Sequence, residues 1–236
     1  MLKEVKISGN KRISNETVIV LGKIEVNSDY DSERLNNTLK NLYNSNFFSD
    51  IDLDLSDGSL SIILTENPII EDIEITGIKN SNFTKTLYEN IILKNRMSFT
   101  EDQLLKDITL IKNILKSNGF YFATVKPTSE KNVELNSIRL KINVDQGDKA
   151  RIKKISFIGE KKVKDKKLLE VIASEEHKFW KFISKNVYIN QELINLDKRL
   201  LSNYFKNNGY FKVKIENSFF EFDKNFNFNL IFNITP

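Results

Sequence analysis

The sequence predicts an α+β fold of three tandem modules, each with the element order β-α-α-β-β. Three short strands of alternating apolar residues each end in a glycine, at Gly9, Gly77 and Gly159. Each of these strands is followed by two helical segments and then by two more alternating strands. Because every copy has its own strands and helices, the array is closer to a string of small domains than to a solenoid of single hairpins.

The composition excludes several classes of protein. The chain has 236 residues, of which 40% are hydrophobic and 29% are charged, as in folded globular proteins. It has no run of about 18 uncharged apolar residues and no signal-peptide pattern, so we expect a soluble region. The absence of cysteine excludes disulfides and thiolate metal sites. A net charge of +4 is too small to indicate a nucleic-acid partner.

The first module begins with a strand through Ile7. A short helix over Thr17–Leu21 should follow, with Ser14 as its N-cap, because a serine side chain can accept a hydrogen bond from a free N–H at a helix start. A second helix should follow Asp31 or Ser32. Its apolar face should carry Leu35, Leu39 and Leu42.

The last two strands of this module should form a hairpin. Apolar residues alternate with three aspartates, which predicts a strand with one buried face and one face in water. The alternating residues are Asp50, Ile51, Asp52, Leu53, Asp54 and Leu55. Asp57-Gly58 is a strong turn signal before the return strand. The aspartates could hold a cation, but a solvated edge that discourages aggregation is the favoured interpretation.

The second and third modules repeat this order. Thr100 and Gln103 form a capping box at the start of a helix that ends at Asn118-Gly119. A strand should then begin over Phe120–Val125 and be interrupted by Pro127. In the third module, Asn208-Gly209 ends the second helix, and Val213 and Ile215 alternate with lysines in the strand that follows. The three modules are predicted at residues 1–67, 68–147 and 148–236.

Each module is predicted to form a three-stranded mixed sheet with two helices on one face, because only one side of each strand is apolar. The last two strands pair as a hairpin, and the first strand can pair with the outer side of the last. The middle strand then lies at an edge, where its free backbone groups could receive a strand from another protein. The candidate strand-binding residues are Phe48, Ile51, Leu53, Phe211, Lys212, Val213, Lys214 and Ile215.

No catalytic, metal or cofactor site is predicted. His177 is the only histidine, so neither a histidine metal cluster nor a Ser-His-Asp triad can form. No Gly-rich phosphate loop or nucleophile elbow occurs, and we expect no enzyme activity. An array of KH-like nucleic-acid-binding modules is the alternative from a different class. The eight glycines never show the Gly-x-x-Gly spacing of that domain, so we expect no nucleic-acid partner.

Phe179, Trp180 and Phe182 form an aromatic group in the third module. Such a group could be an exposed patch that binds partners. Packing in the third core or at a junction between modules is the favoured alternative.

The helix ends and junctions carry a resemblance to a known family. Asn118-Gly119-Phe120-Tyr121 and Asn208-Gly209-Tyr210-Phe211, in their β-α-α-β-β context, resemble POTRA (polypeptide-transport-associated) domains of the BamA family of bacterial outer-membrane assembly proteins. Glu66-Asn67-Pro68-Ile69 and Gln146-Gly147-Asp148-Lys149-Ala150 are similar to the links between the first three POTRA domains of that family. Phe179-Trp180-Lys181-Phe182 is similar to the aromatic insertion of the third.

The resemblance implies a location, a role and partners. It implies the N-terminal part of a larger protein, placed in the periplasm, with a C-terminal outer-membrane barrel after residue 236 as the only membrane contact. This part would receive unfolded outer-membrane proteins from periplasmic chaperones, hold accessory assembly lipoproteins and deliver clients for insertion. We expect the region to be a monomer without cofactors. The POTRA region of a TamA-type or two-partner secretion transporter is the nearer alternative.

Overall fold

The strands form three sheets of three strands each. A computed structural model describes residues 1–159, 163–178, 184–222 and 227–235, with the backbone alone for residues 185 and 216–222. Each sheet belongs to one β-α-α-β-β repeat, so the predicted α+β class is confirmed. The aromatic group of Phe179, Trp180 and Phe182 lies outside the described residues, and its role stays a prediction.

The first repeat forms a mixed sheet. Its elements are β1 (Glu4–Ser8), α1 (Asn15–Gly22), α2 (Ser32–Asn44), β2 (Phe48–Ser56) and β3 (Ser59–Glu66). The strand order is β1-β3-β2, with β1 parallel and β2 antiparallel to β3. Asp57 and Gly58 join β2 to β3 with φ angles of 52° and 82°. Two positive φ angles are what a two-residue hairpin turn requires, and the predicted turn is confirmed.

The second repeat forms a sheet of the same kind. Its elements are β4 (Ile69–Thr76), α3 (Ser81–Asn90), α4 (Glu101–Ser117), β5 (Thr124–Asn132) and β6 (Ser137–Asp145). The strand order is β4-β6-β5, with β4 parallel to β6. The prediction of a strand from Phe120 that Pro127 interrupts is wrong, because β5 begins at Thr124 and continues through the proline. An edge strand tolerates proline because one of its sides has no ladder to complete.

The third repeat completes the series. Its elements are β7 (Arg151–Gly159), α5 (Asp165–Val171), a 3₁₀ helix (Lys185–Val187), α6 (Gln191–Asn207), β8 (Lys214–Phe222) and β9 (Asn227–Thr235). The strand order is β7-β9-β8, with β7 parallel and β8 antiparallel to β9. The predicted start of β8 at Phe211 is wrong. Phe211 and Lys212 belong to a turn after α6, and the strand begins at Lys214.

The chain packs into two compact units. One unit contains residues 1–76, 88–109 and 126–143, and the other contains residues 77–87, 110–125 and 144–236. The first unit therefore holds the whole first repeat, and the second unit holds the whole third repeat. The second repeat contributes residues to both units.

The helices and the sheet of the first repeat share one apolar core. Val18 of α1 and Leu42 of α2 are buried together with Leu60 of β3. Every second residue of β3 is buried, which is the period of a strand with one face on a core. Ser14 caps α1 by accepting a hydrogen bond from the N–H of Thr17, so the predicted cap is confirmed.

The core of the third repeat is rich in aromatic rings. Leu168 of α5 and Phe205 of α6 are buried with Phe157 of β7 and Phe232 of β9. The rings of Phe157 and Phe232 stack with 5.7 Å between their centroids. Every second residue of β9 is buried, as expected for a central strand with helices on one face.

A glycine ends the first strand of each repeat for the same steric reason. Gly9, Gly77 and Gly159 have φ angles of 86°, 85° and 102°, in the left-handed region. An added Cβ atom would lie 2.0, 1.8 and 2.1 Å, respectively, from a carbonyl oxygen of the last strand of the same repeat. These oxygens belong to Leu64, Val144 and Ile234. No side chain fits at such distances, so the glycines allow the backbones to approach closely.

The second helix of each repeat is followed by a residue in the left-handed conformation. Asn46, Gly119 and Gly209 follow these helices with φ angles of 60°, 91° and 87°, which turn the chain out of the helix. The residue four positions before each of them is buried. These buried residues are Leu42, Leu115 and Phe205.

Two buried aspartates, which no sequence pattern marks, hold the loops between the helices. Asp107 of α4 accepts hydrogen bonds from the N–H of Ile92, at 2.6 Å, and from the N–H of the next residue, at 2.9 Å. Asp197 of α6 accepts equivalent bonds from Ala173 and Ser174, at 2.7 and 3.2 Å. Burial raises the pKa of Asp197, although hydrogen bonds from Ser174 and Ala173 oppose this rise.

Glu66 fixes the loop after β1 to the end of β3. Its Oε1 accepts hydrogen bonds of 2.8 Å from the N–H groups of Lys11, Arg12 and Ile13. Nε of Arg12 lies 3.9 Å from Oε2 of the same carboxylate. Burial raises the pKa of Glu66. The three backbone hydrogen bonds and the Arg12 charge lower it, and together they outweigh the effect of burial. The pKa therefore lies below its ordinary value of 4.5.

The link between the first two repeats is held on both sides within the first unit. The N–H of Asn67 donates to the carbonyl of Phe47, just after α2, at 2.8 Å. Nδ2 of Asn136, in the β5–β6 hairpin, donates to the carbonyl of Glu66 at 3.0 Å. The N–H of Ile69 returns a bond to the carbonyl of Asn136 at 2.9 Å. The link therefore has few free backbone groups.

Truncating Leu115 to alanine should lower the free energy of unfolding of the second repeat by about 2 to 5 kcal/mol, because the change leaves a cavity in a packed core. Leu115 is 0% exposed, whereas Leu105 on the same helix is 59% exposed. Leu105→Ala is therefore the matched control and should cost about 0.5 kcal/mol or less. Urea unfolding, followed through the NMR signals of α4, measures both. A loss below about 1 kcal/mol for Leu115→Ala would contradict the buried position.

Replacing Glu66 with glutamine should destabilise the first repeat at neutral pH by about 1 to 3 kcal/mol. Glutamine keeps one acceptor oxygen but loses the charge that three N–H groups share. Since the pKa of Glu66 is lowered in the folded state, its stabilisation is complete above pH 4.5 and is lost as the pH falls through the folded pKa. The difference between wild type and Glu66→Gln should therefore shrink in acid.

Hydrogen exchange at the amides of Lys11, Arg12 and Ile13 measures this effect directly. Exchange at these amides should accelerate in Glu66→Gln at neutral pH. Glu74→Gln is the control, because Glu74 forms an exposed ion pair with Lys141 at 3.0 Å, and such pairs contribute little. Unchanged exchange at residues 11–13 in Glu66→Gln would show that the carboxylate does not hold this loop.

Candidate functional site

The middle strand of each repeat lies at the edge of its sheet. β2, β5 and β8 each pair with one neighbour, the last strand of the same repeat. One side of each therefore carries backbone N–H and C=O groups without a strand partner in the described part of the chain. The predicted edge position of the middle strands is confirmed.

The residues predicted on β2 lie on its core-facing side. Phe48 and Ile51 are buried in the first core, and Leu53 is half-buried. The register with β3 shifts between Phe48 and Asp50, which is a β-bulge, and the pairing is regular from Asp50 to Ser56. An added strand would therefore meet a regular edge over Asp50–Ser56. Phe48 and Ile51 serve the core beneath it.

The residues predicted in the third repeat lie at or before the start of β8. Phe211 is exposed and Lys212 lies beside it in the turn, whereas Val213 is buried. Lys214 and Ile215 are the first two strand residues, and the register with β9 shifts directly after them. The last six residues of β8 then pair regularly with β9. The regular part of this edge therefore follows the predicted residues.

β5 is the edge least suited to a further strand. All its residues except Val125 are exposed, and Pro127 lies within it. Proline has no N–H, so this strand has one backbone donor fewer than its length would give. The three edges are therefore not equivalent.

A groove of about 620 Å³ lies at the start of β2, within the first unit. Its apolar lining includes Phe48, Pro68 and Phe99, which are buried or half-buried. Glu101 and Asp102, from the first turn of α4, also line it. Because Phe48 belongs both to β2 and to the groove, the groove is continuous with the β2 edge.

A second groove, of about 610 Å³, lies in the second unit and is lined in part by Lys149 and Phe120. Nζ of Lys149 lies 5.1 Å from the ring centroid of Phe120 and 5.7 Å from that of Tyr188. These distances allow cation–π attraction to both rings. The lysine charge is therefore already engaged within the unit.

Aromatic residues after α4 pack on the third core. The ring centroids of Tyr121 and Phe122 lie 5.4 and 5.9 Å from that of Phe228. Burial raises the pKa of the Tyr121 phenol. Tyr121 is thus a packing residue and not the strand residue that the sequence predicted. Phe211, at the same place after Gly209, is 78% exposed.

The features of the described residues that could bind a partner are backbone edges and grooves. No group of three or more His, Cys, Asp or Glu side chains among them is placed to hold a metal ion. No helix in the described ranges combines the length and hydrophobicity that crossing a bilayer needs.

The sequence identified the edges but missed the groove beside β2. Phe99 and Glu101 are far from Phe48 in the chain, and the short link through Asn67 and Pro68 brings them together. The link itself was the available signal. A connection so short forces the start of the second repeat to lie beside the end of α2 in the first unit.

Sequence comparison relates the chain to known proteins. A family model described as "POTRA: Surface antigen variable number repeat" matches residues 68–147 and 150–236. The outer membrane protein assembly factor BamA of Neorickettsia risticii (strain Illinois) is 30% identical over 219 residues, or 90% of this chain. The same factor from Neisseria meningitidis serogroup B is 25% identical over 91% of this chain. The chain spans 29% and 27% of the length of these two relatives.

Two solved structures show a weaker likeness. The crystal structure of Haemophilus influenzae BamA POTRA3-5 has a TM-score of 0.47 and 16% identity, over 100% of this chain and 96% of that chain. POTRA1-3 of the periplasmic domain of Omp85 from Anabaena has a TM-score of 0.45 and 12% identity, over 99% and 94%. Because the family model covers most of the sequence, the chain belongs to the POTRA family, and outer membrane protein assembly factors named BamA are among its relatives.

Proposed function

We propose that this chain is the periplasmic, non-enzymatic scaffold region of a BamA-like outer membrane protein assembly factor. It receives unfolded outer-membrane proteins, docks accessory factors and passes clients on for insertion into the outer membrane. The name that the relatives share supports this role. The manner of binding is strand addition, and the observation that carries it is the free edge of β8 in the sheet β7-β9-β8.

Strand addition suits a scaffold that serves many clients. An extended segment pairs its N–H and C=O groups with the free side of β8, along the stretch that pairs regularly with β9. These groups are the same in every protein, so attraction does not require one client sequence. Side chains add selectivity, because successive residues of a strand point to opposite faces.

Binding of this kind should be weak and reversible. An extended segment covers little surface, and it loses conformational entropy when it becomes ordered. Weak binding allows a client to leave without an energy source. A scaffold that only holds and releases clients therefore needs no catalytic group.

The partners follow from this role. Periplasmic chaperones hand over unfolded clients, and accessory assembly lipoproteins attach to the same kind of free edge. Nucleic acid is not a partner in this scheme, since the net charge is only +4. The soluble region acts as a monomer, because each free edge has to stay open to clients.

Prolines in β8 test strand addition. Neighbouring residues of an antiparallel strand direct their N–H groups to opposite sides. Of Ser218→Pro and Phe219→Pro, both in the stretch that pairs regularly with β9, one therefore removes a donor from the free edge and the other removes a donor from the ladder with β9. The edge variant should stay folded and bind a peptide of alternating valine and threonine at least tenfold more weakly, or roughly 1.4 kcal/mol. The ladder variant should lose stability.

Alanine at the same position as the edge proline is the matched control, because it removes the same side chain and keeps the N–H. NMR titration of the peptide into the labelled chain gives affinity and location, and the signals of α6 report folding. If the folded proline variant binds as wild type does, or if the shifts map to the helices, strand addition at β8 is wrong.

A further inference from the structure

We propose that β2 and the groove at its start select extended segments in which basic and apolar residues alternate. The proposal rests on the proposed function, since it takes strand addition as the manner of binding. It adds a chemical preference and places that preference in the first repeat.

The exposed face of β2 carries a row of three carboxylates. Asp50, Asp52 and Asp54 are all exposed and occupy alternate positions, so they lie on one face of the strand. None of the three carboxylates makes a hydrogen bond or an ion pair with another described residue. On β3, the residues opposite them are Thr65, Ile63 and Ser61, which carry no charge. The row therefore keeps its negative charge on the solvent face of the sheet, where every second side chain of an added strand would lie beside it.

The other face of β2 is apolar and incompletely covered. Ile51 is buried, but Leu53 and Leu55 are only half-buried at the border of the first core. A strand added along Asp50–Ser56 would place every second side chain next to these leucines. Apolar side chains there would remove the remaining leucine surface from water. The two faces together fit a segment with basic residues on one face and apolar residues on the other.

The groove extends the apolar surface and the negative charge of β2 beyond the start of the strand. Phe48, Pro68 and Phe99 line a space of about 620 Å³, which can receive one bulky apolar side chain of the segment. Glu101 and Asp102 add two carboxylates to its wall, against the one ammonium of Lys131, and neither carboxylate forms an ion pair with a described residue. A basic residue that precedes or follows the bulky one would therefore meet opposite charge.

The other two edges do not offer this combination. Lys212, in the turn before β8, places a positive charge at the start of that edge, which disfavours basic segments. Pro127 removes a donor from β5. Of the three edges, β2 should therefore bind a segment of alternating basic and apolar residues most tightly. Charge complementarity of this kind favours one partner partly by repelling others.

Three synthetic peptides of equal length test the proposal with the unmodified chain. Each alternates valine with one other residue, which is lysine, threonine or glutamate. In NMR titrations at low salt, the lysine peptide should bind β2 about tenfold more tightly than the threonine peptide, since opposite charges on neighbouring strands attract. The glutamate peptide should bind most weakly. The shifts should map to Asp50–Ser56 and to Phe99.

Charge variants and added salt test whether the aspartate charges cause the preference for the lysine peptide over the threonine peptide. Asp52→Asn should reduce the preference for lysine over threonine, and replacing all three aspartates with asparagine should abolish it. Glu33→Gln is the matched control, because Glu33 is an exposed carboxylate in the first turn of α2 and belongs neither to β2 nor to the lining of the groove. It should leave the preference unchanged. At about 1 M salt the preference should also disappear, because screening then acts within about 3 Å.

The outcomes distinguish this inference from the proposed function. If all three peptides bind β2 equally, the charge preference is overturned and strand addition stands. If the lysine peptide binds mainly at another surface, the placement on β2 is overturned. If no peptide binds β2 or β8, the proposed function itself fails, and this inference fails with it.

Discussion

The first strand of each repeat pairs with the free side of the last strand, and the rest of the repeat depends on this pairing. Gly9, Gly77 and Gly159 permit it, because any side chain at these positions would collide with a carbonyl oxygen of the last strand. The last strand then has two partners, and the middle strand has no second neighbour within its repeat. The exposed edge is therefore a direct consequence of the topology, and every repeat of this kind carries one.

Each repeat protects its exposed edge in a different way. Open edges invite aggregation, and proteins restrain them with charges, prolines and bulges. β2 carries three aspartates, β5 contains Pro127, and β8 begins with a lysine and a bulge. These devices also decide what can still pair with each edge. A feature that prevents uncontrolled association thus becomes a filter for permitted association, which is how one repeated fold can serve several partners.

Local patterns predicted the elements well, and long-range contacts explain the failures. The Ser14 cap and the Asp57-Gly58 turn were predictable because both depend on neighbouring residues. Pro127 was misjudged because its tolerance depends on the edge position of its strand. Tyr121 was misjudged because its partner, Phe228, lies in another repeat. The groove and the Glu66 carboxylate that fixes the loop after β1 could not be predicted either, since their partners are distant in sequence.

The bulges near the starts of β2 and β8 limit how much of a partner each edge can hold. Pairing is regular over Asp50–Ser56 in β2 and over the last six residues of β8. A bulge bends the strand and breaks the spacing of its hydrogen bonds, so an added strand cannot continue in register past it. Each edge therefore offers only a few consecutive backbone bonds. Since each such bond contributes only about 0.5 to 1.5 kcal/mol net, and ordering the partner opposes binding, the topology that creates the edge also keeps its complexes reversible.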